Sequence, residues 1–206
     1  MSELAASVSA AADELQAASH AREVGLAACR RVIRASGSAV RAVHRGDAAA
    51  VAERLADAEA ALAEASTALA PHPAVYHAGF LHDAAKEYAE ARATEALVSG
   101  SPVPSAAELG VEVPAWLNGL AEAASELRRH ALDRLRQGEL DTAETLLDRM
   151  DEVFGELVAI DLPDAVTGGL RRTLDALRAV IERTRGDITA AVLQERLRIS
   201  LERRIE

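Results

Sequence analysis

Aromatic residues are nearly absent from this sequence. They make up 2% of the 206 residues, although half of the chain is apolar, and alanine, leucine and valine supply most of the apolar side chains. Strands favour β-branched and aromatic residues, whereas alanine is the best helix former, so this composition favours close-packed helices over a sheet. The six prolines lie at 71–73, 102–104, 114 and 163, which leaves long uninterrupted segments for helices.

Cysteine and long apolar runs are also scarce. Cys29 is the only cysteine, so neither an intrachain disulfide nor a cysteine-based zinc site can form within one chain. No stretch of about 18 apolar residues is free of charge, and the N-terminus lacks a basic start followed by an apolar run. We therefore expect a soluble, cytoplasmic protein without a membrane partner.

Lysine is scarce as well. Lys86 is the only lysine, so arginine supplies nearly all the positive charge of a chain whose formal net charge is −10. Such an acidic total argues against a protein that coats duplex DNA nonspecifically, but it leaves room for a local basic face.

The spacing of apolar residues, prolines and glycines predicts seven helices. These cover 3–46, 48–70, 73–98, 114–137, 141–160, 163–185 and 187–206. Asp47 and Asp187 are the expected N-caps of the second and seventh helices, and 99–113 is the longest expected loop. No strand pattern or fixed-period repeat is present, so we predict an all-α protein, a single-domain seven-helix bundle over residues 1–206.

One face of the first helix is basic. At about 100° per residue, four arginines fall within roughly 60° of each other around the helix axis, with His44 at the edge of this face. The four are Arg30, Arg34, Arg41 and Arg45. Arginine binds phosphate bidentately and stacks on bases, which suits single-stranded nucleic acid. The alternative is a solvated face that pairs with acidic residues elsewhere.

Two of the predicted helices carry closely spaced acids. Asp83, Glu87 and Glu90 lie at i, i+4 and i+7 on one helix, and Glu122 and Glu126 lie at i and i+4 on the next. Like charges at this spacing repel unless something neutralises them. A divalent ion between the helices would do so, and carboxylates select Mg²⁺ or Mn²⁺. Alternatively, the glutamates are ordinary surface residues in a chain with 33 acids.

Three segments together resemble the translin family in their order and spacing. They are AREVGLAACRRVIRASGSAVRAVHRGD, HDAAKEYAEARA and VPAWLNGLAEAASELRRHALDRLRQGELDTAE, the last with a hydrophobic Leu-x-Gly turn before its acids. The similarity covers roughly residues 20 to 160. The resemblance implies a seven-helix fold, homo-oligomers that are typically octameric shells, and single-stranded RNA or DNA bound inside the shell.

The resemblance also assigns roles to the acids. In this family translin binds nucleic acid, while translin-associated factor X carries acidic metal ligands and cleaves RNA. Glu87 and Glu90 match the two glutamates of the family's Glu-Tyr-x-Glu segment, and Glu122 falls where the catalytic branch has aspartate. Glu126 matches a nearby family acid, and the His-Arg-Gly at 44–46 is the closest match to the family's basic residues.

Three functions remain open from the sequence. The first is a Mg²⁺- or Mn²⁺-dependent endoribonuclease acting on single-stranded RNA. In it Glu87, Glu90 and Glu122 are the catalytic metal ligands, and Glu126 holds a second ion, binds a water ligand or orients the other acids. The second is a non-catalytic oligomeric binder of single-stranded RNA or DNA. The third is a helical scaffold whose acids and arginines only form salt bridges.

Overall fold

The structure, a computed structural model, describes residues 2–203, and this part of the chain is helical without any strand, as predicted. Helices α1 (Glu3–Arg45) and α2 (Ala48–Leu69) form an antiparallel hairpin. Gly46 ends α1 with a φ of 70°, and the Asp47 carboxylate accepts a hydrogen bond from the Ala50 N–H at the start of α2. The predicted ends of both helices and the N-cap Asp47 are therefore confirmed.

The helix predicted over 73–98 is interrupted near its start. It consists of a single turn, α3 (Pro73–Tyr76), and a long helix, α4 (Phe80–Ser99). Gly79 lies between them with a φ of 99°, a conformation that side chains with a Cβ rarely adopt. The prediction of one continuous helix was wrong because this glycine permits a change of chain direction.

The segment predicted as the longest loop contains another single turn, α5 (Ala106–Leu109). The Ser105 hydroxyl accepts a hydrogen bond from the Glu108 N–H, and the Glu108 carboxylate accepts one from the Ser105 N–H. This reciprocal pair is a capping box, which stabilises the first turn of a helix. Helices α6 (Val113–Arg136) and α7 (Leu140–Val158) follow close to their predicted bounds.

The sixth and seventh predicted helices are one helix. A single turn, α8 (Asp164–Thr167), precedes the continuous α9 (Leu170–Glu202), and residues 204–206 of the predicted last helix lie outside the described part. Gly186 lies within α9, where Asp187 is no N-cap: its carboxylate pairs with Arg128 at 2.8 Å. A glycine inside a helix costs about 1 kcal/mol, which packing of the flanking turns outweighs. Residues 2–203 thus hold six long helices and three single turns instead of seven helices.

The helices pack around two main cores that meet at α4 and α6. One core lies between α1, α2 and α4 and is rich in small alanine side chains around the buried Tyr88. The other lies between α6, α7 and α9 around Leu127, Met150 and Leu177. Helix α4 packs on both α1 and α6, so the face between α4 and α6 lies near the centre of the molecule.

The first third of α1 extends beyond this body. With 43 residues, α1 is about 65 Å long. Every described residue up to Ala17 is exposed, including Leu4, Val8 and Leu15, whose exposed fractions are 59–73%. The described helices include none with both the length and the apolar character that crossing a bilayer requires.

Candidate functional site

Helices α4 and α6 approach each other closely at Gly119. A Cβ atom added to this glycine would lie 2.7 Å from the Lys86 carbonyl oxygen and 2.9 Å from the Glu90 backbone nitrogen. Only a residue without a side chain allows this separation. Gly119 lies inside α6, so the Leu-x-Gly segment that the sequence suggested as a turn is helical.

This contact brings three glutamates of the two helices together. One carboxylate oxygen from each of Glu87, Glu90 and Glu122 lies within 4.8 Å of the others, and all three side chains are half-buried. Asp83 lies on the same helix but is exposed and outside this group. We call Glu87, Glu90 and Glu122 the glutamate cluster.

The glutamate cluster carries more negative charge than its surroundings compensate. Burial raises the pKa of Glu90, and the charges of Glu87, Glu122 and Glu126 add to this effect. Against the smaller opposing effect of Lys86, the pKa reaches about 8. Burial also raises the pKa of Glu87, with Lys86 lowering it and Glu122 and Asp83 raising it. A carboxyl group whose pKa lies near neutrality is one whose environment disfavours its charged form.

A single ammonium group contacts the cluster. The Lys86 Nζ donates a hydrogen bond of 2.7 Å to Glu122 Oε1. Burial lowers the pKa of Lys86, but this hydrogen bond and the charges of Glu122, Glu87 and Glu90 outweigh it, so the pKa is raised overall. Lys86 is therefore held in its charged form by the glutamates.

Glu126, the fourth predicted acid, is engaged elsewhere. It lies one turn beyond Glu122 on α6, and its Oε2 is 2.8 Å from Nε2 of His44 on α1. The hydrogen bond from His44 lowers the pKa of Glu126 despite burial. The His44 side chain is only 3% exposed. The structure thus buries the His44 side chain against Glu126, unlike the exposed arginines with which the sequence grouped it.

The four predicted arginines remain on one surface. Arg30, Arg34, Arg41 and Arg45 are all exposed, and none forms an ion pair with an acid within residues 2–203. Their positions fall on the side of α1 opposite its buried residues. By contrast, the neighbouring Arg31 pairs with Glu64 of α2. We call the four residues the arginine face.

Comparison with solved structures relates this arrangement to known proteins. No family model matches the chain. The structure of AfC3PO bound to duplex RNA superposes with a TM-score of 0.84 at 31% sequence identity and covers 91% of this chain and 97% of that chain. The crystal structure of AfC3PO gives the same values. C3PO is a complex of the translin type. The chain belongs to the translin family.

Two further relatives of this translin-family chain are more distant. The crystal structure of apo-NeC3PO has a TM-score of 0.82 at 21% identity, covering 89% of this chain and 96% of that one, and shows the shared fold alone. An uncharacterized protein of Methanocaldococcus jannaschii, MJ0175, is 29% identical over 126 residues. The match spans 61% of this chain and 56% of that protein, so the chain covers only about half of this relative's length.

Two basic residues near these acids were missed from the sequence. Lys86 was noted as the single lysine and as part of the segment HDAAKEYAEARA but was given no role, although its position four residues before Glu90 places the two on one helix face. Arg129 on α6 is exposed, forms no ion pair in the described part of the chain, and lowers the pKa of Glu126 by its charge. Its position in the segment Leu-Arg-Arg-His gave no signal that distinguished it from other surface arginines.

Proposed function

We propose that this translin-family chain binds single-stranded RNA on the arginine face and cleaves it at the glutamate cluster with Mg²⁺ or Mn²⁺. The observation that carries the proposal is the convergence of three carboxylate oxygens within 4.8 Å, on a chain whose first helix exposes a row of arginines without acidic partners among residues 2–203. The 31% identity with AfC3PO, which was solved with duplex RNA, supports RNA as the ligand class.

The donor set of the glutamate cluster suits a hard divalent cation. Mg²⁺ and Mn²⁺ prefer carboxylate oxygens, and Glu87, Glu90 and Glu122 offer one oxygen each. Partial burial of the cluster excludes part of the water that would otherwise screen its charges, as the raised pKa of Glu90 indicates. When bound, such an ion activates water and stabilises the charge that develops on a phosphate under attack.

The remaining residues position these ligands and the RNA. We assign Glu126 an orienting role, because its Oε2 accepts the hydrogen bond from His44 and this pair ties α6 to α1 beside the cluster. The arginine face would contact phosphates of the strand, while the exposed Arg129 offers a further positive charge on the α6 side of Glu126.

A homo-oligomer is part of this proposal. Exposed leucines and valines follow the free part of α1, and Leu193, Leu197 and Leu201 are exposed at intervals of four residues on α9. Exposed apolar rows of this kind are typical of surfaces that another chain covers. Light scattering should give a mass several times 21.7 kDa, and a monomer mass across micromolar concentrations would contradict the assembly.

The decisive experiment incubates labelled single-stranded RNA with the parent and with Glu87→Ala, Glu90→Ala and Glu122→Ala, in Mg²⁺, Mn²⁺ or EDTA. We expect metal-dependent cleavage by the parent and none by the three variants, all of which still bind RNA. Glu144→Ala, which removes an exposed acid of α7, is the control and should cleave like the parent. A duplex of the same sequence tests the preference for single strands.

The second candidate is a non-catalytic RNA binder. It is favoured by the contact of Lys86 with Glu122, which partly neutralises the cluster without a metal. RNA that is bound but stays intact in both metals would make this the better function. RNA that is not bound at all would leave a helical scaffold.

A further inference from the structure

Lys86 contacts the glutamate cluster from within the same helix as two of its members. Its Nζ lies 2.7 Å from Glu122 Oε1, and its side chain is 24% exposed. Its charge acts on both Glu87 and Glu90 as well. The ammonium group therefore occupies one of the two carboxylate oxygens of Glu122, the α6 member of the glutamate cluster.

We propose that Lys86 is a built-in counter-ion that competes with the divalent metal for Glu122 and limits the glutamate cluster to one ion. The inference rests on the metal centre of the proposed function. Carboxylates must be ionised to bind a metal; with all three in that form, they and the ammonium carry a net charge of −2, which a single divalent ion balances. A second divalent ion would leave an excess of positive charge in a partly buried site, where uncompensated charge is costly.

The neighbouring acid provides no place for a second ion. Glu126 is the next carboxylate along α6, and its Oε2 is hydrogen-bonded to His44 at 2.8 Å. Since the His44 side chain is 3% exposed, it has little room to move away from Glu126. A second ion would have to break this buried hydrogen bond, and a buried histidine would lose its partner.

Because of the position of its ammonium group, Lys86 competes with a divalent metal for Glu122. A metal that binds Glu122 must displace Lys86 from Oε1 or, if it uses the other oxygen, bind with a positive charge a few ångströms away. The flexible four-carbon stem and the partial exposure allow Lys86 to withdraw toward solvent. Removing its charge should therefore tighten metal binding by roughly tenfold, after allowance for solvent screening.

The test is a calorimetric titration of the full chain with Mn²⁺, without RNA, at fixed pH and ionic strength. The variants are Lys86→Gln and Lys86→Met, which remove the charge, and Lys86→Arg, which keeps it. Arg22→Gln is the control for loss of one positive charge, because Arg22 is an exposed residue of α1 that pairs with Glu23. Circular dichroism of each variant without metal shows that it is folded.

We expect one ion per chain for the parent, about tenfold tighter binding in both neutral variants, and parent-like binding in Lys86→Arg and Arg22→Gln. Unchanged or weaker binding by the folded neutral variants would overturn the competition while leaving the metal centre in place. Two ions per parent chain would overturn the single-ion limit. Absence of Mn²⁺ binding in the parent and in the neutral variants would overturn both this inference and the metal centre, without touching RNA binding by the arginine face.

Discussion

Gly119→Ala should separate the two helices that form the glutamate cluster. The added methyl group would lie 2.7 Å from the Lys86 carbonyl oxygen and 2.9 Å from the Glu90 backbone nitrogen. Both are backbone atoms of α4, so no side chain can rotate away to relieve the clash. The helices must therefore move apart, and overpacking of this kind typically costs about 1–3 kcal/mol in a packed interior.

Part of this cost is offset locally. Alanine is better than glycine inside a helix by about 1 kcal/mol, so we expect a net loss of up to about 2 kcal/mol in the free energy of unfolding. Gly186→Ala is the matched control, because Gly186 also lies inside a helix but its added Cβ would have nothing within 4 Å. That variant should gain about 0.5–1 kcal/mol.

Urea unfolding followed by far-ultraviolet circular dichroism, at equal protein concentrations, measures both variants. Gly119→Ala should also weaken Mn²⁺ binding, because Glu122 would move away from Glu87 and Glu90. A Gly119→Ala chain as stable as Gly186→Ala, with unchanged metal affinity, would show that the close approach of α4 and α6 does not set the geometry of the cluster.

Two further predictions concern charge. The pKa of Glu90 is raised to about 8 in the folded chain, so the fold binds its proton more tightly than the unfolded chain does. Its stability contribution is complete below the ordinary glutamate pKa near 4.5 and is lost as pH rises toward 8. In metal-free urea unfolding, Glu90→Gln should therefore gain stability relative to the parent from pH 5 to about pH 8; a constant difference would contradict the raised pKa. Replacing Arg41 and Arg45 with alanine should weaken the salt dependence of RNA binding. The slope of the logarithm of the binding constant against the logarithm of salt concentration should become less negative by about 0.7 for each phosphate that is no longer neutralised. The control replaces the exposed Arg171 and Arg172 of α9, and equal slopes for the two double variants would refute the arginine face.

Helix ends were predictable where residues with a clear capping preference occur. Gly46 and Asp47 end one helix and cap the next, and both were identified from the sequence. Gly186 was misleading, because a glycine that disfavours helix locally is overridden by packing on both sides of it. Ile181 and Ile188 are buried at helical spacing across that glycine, and this pattern was the better guide.

The glutamate cluster was only partly predictable. Helical spacing places Glu87 and Glu90 on one face of α4, but spacing cannot say which face of α6 meets it. That register depends on the close approach at Gly119, a long-range feature. For the same reason the sequence grouped His44 with the arginines by its position on the helix, whereas the fold buries its side chain against Glu126 of α6.

The exposed N-terminal segment of α1 should show fast hydrogen exchange. Every described residue up to Ala17 lacks burial, and an isolated helix of about 15 residues is only marginally stable in water. In a lone chain, these amides should exchange through local opening that leaves the two cores folded. Covering them by another chain would slow the exchange without altering the rates near Tyr88 or Leu127. The exchange rate of this one segment, followed against protein concentration, would thus measure the dissociation constant of the assembly.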